Sequence, residues 1–546
     1  MKTIRSFNRV LKEIFHLQKS FLIISFSIVC IQAIIPVMAA WAVKLIIDSL
    51  IVEANFNHTI RIVLIYLFTL SIFTILQNLL QKYFYQITEI KLKDKLKIKF
   101  CNKVKFIDNS SYEDPKYYDV MTRTITSGDK HYIAVSDTFF NFIGSLFIIA
   151  GLFSIVFVLN RYLLIIILFY VVFRLYLTTK INKYNYQDYV KSTKHNRYID
   201  YLLRLFRLPT FINDIKLYSI DKIINEKYND ECKLRLDVKS KIYRKRNSYD
   251  ILNSILELAF MGSIIIMLVY DIVFGRGTVG DFAALMNSTQ QLGNSIVSFL
   301  LIIPRLKDHN MYITDIYNFL NYESKIEKED GKFLSDIRII SFENVSFKYP
   351  KANEYTLKNI SFNIEKGSKI AIVGHNGAGK STLIKLILRM YDATEGTIKV
   401  NNENITNLNV QHYRSKFGVM FQNFDVYAMS VFENILLKKN IGSDTTDFQV
   451  FQDTLKKVDL DKKVSTLPNG ENTILSKEFD ENGVLLSGGE KQKIGIARMY
   501  ALNKDFIILD EASSALDPYV EDNLYGIIFD SFKEKTVIII SHRLAI

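Results

Sequence analysis

Six long apolar segments, separated by charged stretches, dominate the N-terminal part of the chain. A helix needs roughly 20 apolar residues to cross a bilayer, and the segments have about that length. They predict membrane-spanning helices at residues 20–43, 62–81, 138–160, 162–179, 251–270 and 282–303. The first of them follows a basic arm and is longer than the core of a signal peptide, so we predict an uncleaved span. The pattern predicts an all-α transmembrane domain over residues 1–320.

The segments between the predicted spans differ in length and charge. The first, third and fifth are short and poor in Lys and Arg, whereas residues 82–137 and 174–250 are long and rich in both. Because Lys and Arg accumulate on the cytoplasmic side, both termini and the two long segments are predicted to be cytoplasmic. Their periodicity favours helices that extend from the membrane into the cytosol, joined by crosswise pieces at residues 112–126 and 209–219, where prolines occur. The alternative is two solvated, charged loops.

Polar side chains interrupt the later spans. Arg174 lies near the inner end of the fourth span, where it can extend towards the interface, and Glu257 lies within the fifth. Amide side chains punctuate the sixth at Asn287, Gln290, Gln291 and Asn294. A charge within a membrane helix is costly and is usually functional or paired. Contact with a cargo molecule and pairing with a neighbouring helix both remain open for Glu257.

Composition narrows the class of protein further. The net charge of +13 resides mostly between the apolar segments, which fits the charge asymmetry of a membrane protein and does not call for a nucleic-acid partner. Cys30, Cys101 and Cys232 are far apart and show no zinc or disulfide spacing, so we assign them no role. The abundance of Lys, Asn, Ile and Tyr suggests an AT-rich bacterial genome.

A second kind of domain begins after a charged linker at residues 321–337. The alternation of apolar and polar residues from Arg338 to Tyr349 predicts a strand, and the composition from there to residue 546 is that of a soluble α/β domain. We therefore predict a separate domain over residues 338–546.

A glycine-rich loop in this domain has the pattern G-x-x-x-x-G-K-[ST]. It lies between Lys369–Val373, an apolar run predicted as a buried strand, and a helical stretch from Leu383 to Met390. Backbone N–H groups of such a loop converge on a phosphate, and the helix N-terminus adds partial positive charge. The predicted nucleotide-binding residues here are Gly374, His375, Asn376, Gly377, Ala378, Gly379, Lys380, Ser381 and Thr382. The alternative is an ordinary glycine-rich turn.

Two further motifs suit the chemistry of a nucleoside triphosphate. The buried-strand pattern Phe506–Leu509 ends in Asp510, placed to hold Mg²⁺, and Glu511, placed to polarise the attacking water. Without the phosphate loop, these carboxylates would indicate only a solvated acidic turn. Small residues also open a helix at Ser487, Gly488, Gly489 and Glu490, which makes a second phosphate cradle.

This combination resembles the ATP-binding cassette (ABC) family, in which the second cradle closes on the ATP of a facing domain. Six spans followed by one cassette resemble a half-transporter of the exporter type, and the resemblance covers nearly the whole chain. It implies an all-α six-helix membrane domain with cytoplasmic extensions, followed by an α/β P-loop NTPase domain. It also implies that ATP and Mg²⁺ are bound and that ATP is hydrolysed to drive transport.

The resemblance also assigns roles to single residues. Tyr349 matches the aromatic residue that stacks on adenine, Gln422 the glutamine that senses Mg²⁺ and the membrane domain, and His542 the histidine at the γ-phosphate. Ser381, Gln422 and Asp510 are thus the implied metal-site residues, with Glu511 and His542 catalytic. Residues 514–517 match the loop that links the two ATP sites, and residues 112–126 and 213–218 resemble coupling helices.

The sequence departs from the family pattern in two places. Glu490 stands where glutamine is more usual, which is a common variant that leaves the Ser487–Gly489 cradle intact. The chain ends at Ile546, whereas similar cassettes continue through further strands and a closing helix. A fragment or a shortened domain is therefore expected.

The function implied is an ATP-driven exporter in a bacterial plasma membrane, paired with a second copy or with another half-transporter. Peptides and amphiphilic drugs are the favoured cargo, with lipid as the alternative; no peptidase domain precedes the first span, which disfavours a leader-cleaving exporter. Two other classes compete: a soluble-type ATPase that clamps DNA or ribosomes, and a membrane sensor that binds ATP without moving cargo. The apolar segments oppose the first, and Glu511 opposes the second.

Overall fold

The computed structural model describes residues 2–51, 56–375, 377–422, 424–439, 446–510, 525–526, 528–530 and 532–541. Contacts between Cα atoms divide the chain into two compact units. The first unit combines Met1–Lys99 with Arg123–Tyr317, and the second combines Phe100–Thr122 with Asn318–Ile546. A short stretch of the N-terminal half thus belongs to the unit that holds the C-terminal half.

Described residues before the linker form helices joined by short turns. The helices are α1 Lys2–Leu17, α2 Lys19–Ile51, α3 Phe56–Leu79, a π-helix at Leu80–Tyr85, α4 Gln86–Val104, α5 Asn109–Tyr112, α6 Pro115–Asn160, α7 Leu163–Arg207, α8 Pro209–Tyr218, α9 Asp221–Val273, α10 Val279–Leu300 and α11 Ile302–Leu320. This is the all-α architecture that the hydrophobic pattern predicts.

Five helical stretches of the described chain are long and apolar enough to cross a membrane: Lys19–Ile51, Phe56–Val104, Pro115–Asn160, Leu163–Asp188 and Asp221–Val273. They contain the first five predicted spans, except that the fourth was predicted to start one residue earlier, at Tyr162. Most of the sixth predicted span, residues 282–303, is a helix as well, but this helix, α10, ends at Leu300, three residues before the predicted end. Its amide side chains dilute its apolar character, so it falls outside this set.

The long helices extend well beyond the membrane-spanning length. α6 has 46 residues and α9 has 53, against the roughly 20 that a bilayer requires. The helix α8 is a separate short helix between α7 and α9 with Pro209 in its first turn, and it covers most of the piece predicted at residues 209–219. The prediction of a separate piece at residues 112–126 was wrong: the short helix there is α5, at Asn109–Tyr112, and residues 115–126 belong to the long helix α6. Pro115 starts α6 because proline is well suited to the first turn of a helix.

One hydrophobic core of the first unit is built from five helices, α2, α6, α7, α9 and α10. Its buried side chains include Leu152, Tyr170, Phe260 and Leu292. The rings of Tyr170 and Phe260 stack with their centroids 3.9 Å apart, which joins α7 to α9.

Two sheets form the framework of the second unit. An antiparallel sheet has the order β2-β1-β4-β5, and a parallel sheet has the order β3-β8-β7-β6. Their strands are β1 Ile339–Phe347, β2 Leu357–Glu365, β3 Lys369–Val373, β4 Glu395–Val400, β5 Glu403–Asn404, β6 Phe417–Met420, β7 Phe506–Asp510 and β8 Thr536–Ser541. The helices are α12 Lys380–Ile387, α13 Val410–Arg414, α14 Val431–Leu436, α15 Thr446–Lys457, α16 Asp461–Ser465 and α17 Gly488–Leu502, with 3₁₀ turns at Ile405–Asn407 and Gly470–Asn472.

Strand β7 is the buried centre of the second unit. All five of its residues are buried, and successive side chains alternate between two hydrophobic cores. Phe506 and Ile508 pack in the core that contains α12 and the antiparallel sheet. Ile507 and Leu509 pack in the core that contains α14, α15 and α17. The parallel sheet therefore has helices on both faces, as the α/β prediction requires.

Strand β3 is not the buried strand that its apolar sequence predicts. It lies at the end of the described sheet, where of the described strands only β8 pairs with it. Lys369, Ala371 and Val373 are exposed, with Val373 at 47%. An apolar run of five residues cannot distinguish an edge strand from a central one, because both bury at least one face.

Candidate nucleotide-binding site

The predicted site residues follow the carboxyl ends of four neighbouring strands. In the parallel register, Val373 of β3 lies opposite Ser541 of β8, and Ile540 of β8 lies opposite Asp510 of β7. Leu509 of β7 in turn pairs with Met420 of β6. Because parallel strands end at the same edge of a sheet, motifs that follow them converge there.

The glycine-rich loop leaves β3 at this edge and ends in helix α12. Gly379 is the N-cap of α12 with φ +89°, and Gly377 has φ +82°; both are left-handed conformations that favour glycine. A Cβ on Gly379 would lie 2.8 Å from Leu357 Cδ2, whereas at Gly377 nothing lies within 4 Å. The loop is therefore backed by the antiparallel sheet at one glycine and open at the other.

Lys380 lies in the first turn of α12 and is 7% exposed. Its ammonium group donates hydrogen bonds to the carbonyl oxygens of Gly374 (2.8 Å) and His375 (3.1 Å), so the side chain folds back over its own loop. Ala378 closes the turn by donating its N–H to the His375 carbonyl at 3.3 Å. The positive charge of Lys380 therefore lies inside the loop, next to its backbone.

Tyr349 lies beside the same helix. Its hydroxyl oxygen is 3.0 Å from Thr382 Oγ1, and the ammonium group of Lys385 lies 5.3 Å from the centre of its ring. The ring also packs edge-on against Tyr391, with centroids 5.4 Å apart. The structure therefore brings the predicted adenine-stacking residue next to the phosphate loop, although β1 and α12 are far apart in sequence.

The remaining predicted residues around the sheet edge are only partly described. Asp510 ends β7 and is 3% exposed, and Gln422 follows two residues after β6. Ser381 is half-buried in the first turn of α12. Asn376, Glu511, residues 514–517 and His542 lie outside the described residues, so their predicted roles stay predictions.

The second cradle is a capped helix start. Ser487 is the N-cap of α17: its hydroxyl accepts the Glu490 N–H at 3.3 Å, and Glu490 Oε2 accepts the Ser487 N–H at 2.9 Å. This capping box accepts either glutamate or glutamine, which explains in physical terms why Glu490 is compatible with the cradle. Gly488 has nothing within 4 Å of an added Cβ, so the helix start is open.

Sequence reasoning did not find two cations near these motifs. Lys463 of α16 forms an ion pair of 2.9 Å with Glu490 Oε1. Burial disfavours ionisation of Glu490, but the hydrogen bonds from Lys463 and Ser487 outweigh it, so its pKa lies below the ordinary value. A lysine in an exposed helix gives no sequence signal of this pairing.

The second cation, Arg498, connects the cradle helix to the segment after Gln422. Its Nε donates to the Asn434 carbonyl at 2.8 Å, and its guanidinium lies 4.7 Å from the centre of the Phe424 ring. The sequence did give one sign of this contact: Arg498 directly follows an apolar position of α17. Ile494 and Ala497 of that helix are buried.

The described residues fit a nucleoside triphosphate with Mg²⁺. A left-handed glycine turn, a helix N-terminus and a buried lysine provide N–H groups and positive charge for phosphates. The hydroxyl of Ser381 and the carboxylate of Asp510 are the oxygen ligands that Mg²⁺ prefers. The donor set therefore matches the implied chemistry.

Glu257 lies in the first unit and is paired. Its Oε1 lies 3.8 Å from Arg174 Nη1, and the same nitrogen donates to Asn294 Oδ1 at 2.5 Å. The Tyr170 hydroxyl donates to that same Asn294 oxygen at 3.1 Å. This network joins α7, α9 and α10, so of the two readings of Glu257 the described contacts favour pairing.

Comparisons with known proteins agree with this geometry. Residues 357–514 match the family model described as "ABC transporter", and residues 21–296 match "ABC transporter transmembrane region". The chain belongs to the ABC transporter family. Subtilin transport ATP-binding protein SpaT of Bacillus subtilis is 32% identical over 98% of this chain and 87% of its own length. Nisin transport ATP-binding protein NisT of Lactococcus lactis is 26% identical over 99% of this chain and 90% of its own length.

The fold of this ABC transporter is also found in a solved structure, described as a bacterial Atm1-family ABC exporter with ATP bound. The match covers 99% of this chain and 92% of the chain in that structure. The TM-score is 0.73 and the sequence identity is 19%. The chain is thus an ABC exporter that carries one membrane domain and one ATPase domain, a half-transporter. It binds ATP, hydrolyses it to drive transport, and is a multi-pass membrane protein.

Proposed function

We propose that this ABC exporter works as a dimer and moves peptides or amphiphilic small molecules out of the cytoplasm. The observation that carries the cargo class is the match, over nearly the whole chain, to proteins named for the transport of subtilin and of nisin. The polar side chains of α10 and the network around Asn294 support a pathway that admits polar groups.

Each phosphate-loop residue has a role in this proposal. Lys380 and the N–H groups of the loop bind the β- and γ-phosphates, and Tyr349 stacks on the base. Ser381 and Asp510 hold Mg²⁺, with Gln422 beside it; the bound metal neutralises charge that develops on the phosphates. Glu511 orients the water that attacks the γ-phosphate, and His542 stabilises that phosphate.

The second cradle acts on the partner's nucleotide. One chain contains one phosphate loop and one Ser487–Gly489 helix start, and both suit a phosphate. Two chains facing each other would enclose two ATP molecules, each between a loop from one chain and a cradle from the other. We propose a pair of identical chains, because each motif needed for both sites is present in the sequence.

The orientation of the chain follows the charge pattern. The long basic segments and the ATPase domain lie in the cytoplasm, which places both termini there. We place the exporter in a bacterial plasma membrane, in keeping with the bacterial source of SpaT and NisT.

The test is ATP turnover and transport in proteoliposomes, with Glu511→Gln as the matched variant. We expect wild type to hydrolyse ATP and to accumulate nisin or subtilin in inverted vesicles, and the variant to bind ATP in a closed dimer without turnover. Unchanged turnover in Glu511→Gln would refute the catalytic assignment. Turnover without accumulation of either peptide would refute the cargo class alone.

A further inference from the structure

A polar cavity lies among α2, α6, α10 and α11 in the first unit. Its volume is about 190 Å³, roughly that of six water molecules. The polar side chains that line it are Gln32, Asn141, Ser145, Ser298 and Arg305. The cavity is large enough for one side chain or one terminal group of a cargo molecule, and too small for a whole peptide.

The polarity of this cavity is local. Helices α2 and α6 also line a second cavity, of about 360 Å³, whose residues are all apolar or weakly polar, such as Ile34, Val37 and Phe147. Gln32 and Asn141 therefore lie on one particular side of their helices, as expected where one side meets lipid tails and another meets water or cargo.

The polar groups of the cavity are available to a ligand. Within the described part of the chain, the side chains of Gln32, Asn141 and Arg305 make no hydrogen bond or ion pair. Ser145, in contrast, donates to the Asn141 carbonyl at 2.6 Å. Gln32 and Asn141 lie within predicted spans, where polar groups are costly unless water or a ligand solvates them, and Arg305 is exposed two residues beyond the sixth predicted span, so this set indicates a wetted binding surface.

The charge of the cavity selects the ligand class. Among the lining residues that the structure describes, Arg305 is the one charged residue and none is a carboxylate. Three acidic side chains elsewhere in the first unit are paired: Glu257 with Arg174, and both Asp48 and Asp281 with Lys44. A guanidinium with amide donors beside it matches the planar geometry of a carboxylate.

We propose that this cavity binds a carboxylate of the cargo, carried by a peptide, with Arg305 as the residue that selects it. The inference rests on the proposed export function and specifies its substrate: the cargo places an anionic group between α2, α6 and α11 before transport. Gln32 and Asn141 donate hydrogen bonds to the same group.

The experiment compares two forms of one amphipathic peptide labelled with the uncharged fluorophore nitrobenzoxadiazole, with a free C-terminal carboxylate or with a carboxamide and no other acidic group. Binding is measured by anisotropy to the full chain in lipid nanodiscs, without nucleotide. We expect wild type to bind the carboxylate form about tenfold more tightly, the effect of one hydrogen-bonded charge. Arg305→Met should bind both forms equally, and Arg305→Lys should keep part of the preference.

The matched control is Arg276→Met, because Arg276 is exposed in the turn between α9 and α10 and should leave the preference intact. Gln32→Met provides a second variant in case Arg305→Met fails to fold, with an expected loss of about threefold. The proposal is overturned if wild type binds the two forms equally, if it binds neither, or if Arg305→Met keeps the preference. ATP turnover lost in Glu511→Gln, measured in the same nanodiscs, reports on the proposed function independently.

Discussion

The hydroxyl of Tyr322 donates a hydrogen bond to Asp108 Oδ2 at 2.9 Å, which joins two segments 214 residues apart within the second unit. The same carboxylate accepts the backbone N–H groups of Lys325 at 2.9 Å and Ile326 at 3.2 Å, and the Ser324 hydroxyl. Asp108 therefore fastens the segment at Phe100–Thr122 to the start of the linker.

We expect Asp108→Asn to destabilise this attachment by about 1–2 kcal/mol, because hydrogen bonds to a charged acceptor are replaced by weaker ones. Burial raises the pKa of Asp108, but hydrogen bonds from Ser324 and the Lys325 amide outweigh it, so the folded-state pKa lies below the ordinary value. The stabilisation is thus complete above the unfolded pKa of about 3.9 and is lost as the pH falls through the folded value. The measurement is the Tm of both proteins between neutral and acidic pH.

The control for Asp108 is Asp114→Asn. Asp114 forms an exposed ion pair of 2.8 Å with Lys351, which solvent and salt screen, so its removal should leave Tm nearly unchanged. A Tm gap between wild type and Asp108→Asn that stays constant down to the lowest pH would contradict the assigned role of the carboxylate.

The ion pair between Lys463 and Glu490 should matter for ATP. If the cradle meets the partner's nucleotide, Lys463→Met leaves the Glu490 charge uncompensated near phosphate. We expect the KM for ATP to rise about two- to fivefold, the range of a partly exposed pair. Steady-state ATPase assays in nanodiscs measure it.

The double variant tests this reasoning. Glu490→Gln alone should change KM little, since glutamine keeps the capping box, and Glu490→Gln with Lys463→Met should return to the wild-type KM. If the double variant is as impaired as Lys463→Met, then Lys463 acts through something other than Glu490.

Two glycines of the phosphate loop form a matched pair. Both have positive φ, so alanine at either costs about 1–2 kcal/mol of backbone strain. Gly379→Ala in addition forces a Cβ to within 2.8 Å of Leu357 Cδ2, so it should lower the nucleotide-free Tm more than Gly377→Ala does. Equal losses of Tm would mean that the contact with Leu357 relaxes without cost.

The pair of Arg174 and Glu257 is expected to be structural. A double-mutant cycle of Arg174→Met and Glu257→Gln, followed by thermal unfolding, should give a coupling near 0.6 kcal/mol, typical of polar contacts between membrane helices. Glu257→Gln should also keep the preference for the carboxylate form of the peptide. Loss of that preference would move Glu257 into the cargo pathway.

The sequence predicted those features that depend on local pattern. Runs of apolar residues are sufficient to find α2, α6 and α9, and the glycine spacing is sufficient to find the phosphate loop, because backbone conformation there depends on residue type. Pro209 correctly marked α8. Pro115 misled us, since a proline begins a helix as readily as it ends one.

Features that depend on partners distant in sequence were not predictable. The edge position of β3 follows from the order of strands, which one strand's sequence does not encode. The pairings of Asp108 with Tyr322 and of Lys463 with Glu490 arise from tertiary packing between exposed polar positions. Only Arg498 gave a sequence signal, a cation next to the buried positions of α17.

The π-helix at Leu80–Tyr85 lies within one long helix, Phe56–Val104. It shifts the sequence pattern of apolar positions by about one residue between the two parts of that helix. A π turn accommodates about one residue more than an α turn, and each residue advances the helix face by about 100°. After this joint, Leu92 and Leu96 are fully buried, and Tyr85 itself reaches Asp137 through a hydrogen bond of 2.8 Å. Deleting one residue within the π turn would convert it to an α turn and leave Gln86 to Lys99 in that packing, because the π turn holds the extra residue without turning the helix on either side of it. The joint is therefore the place where this long helix can lose one residue while the packing on both sides of it is kept.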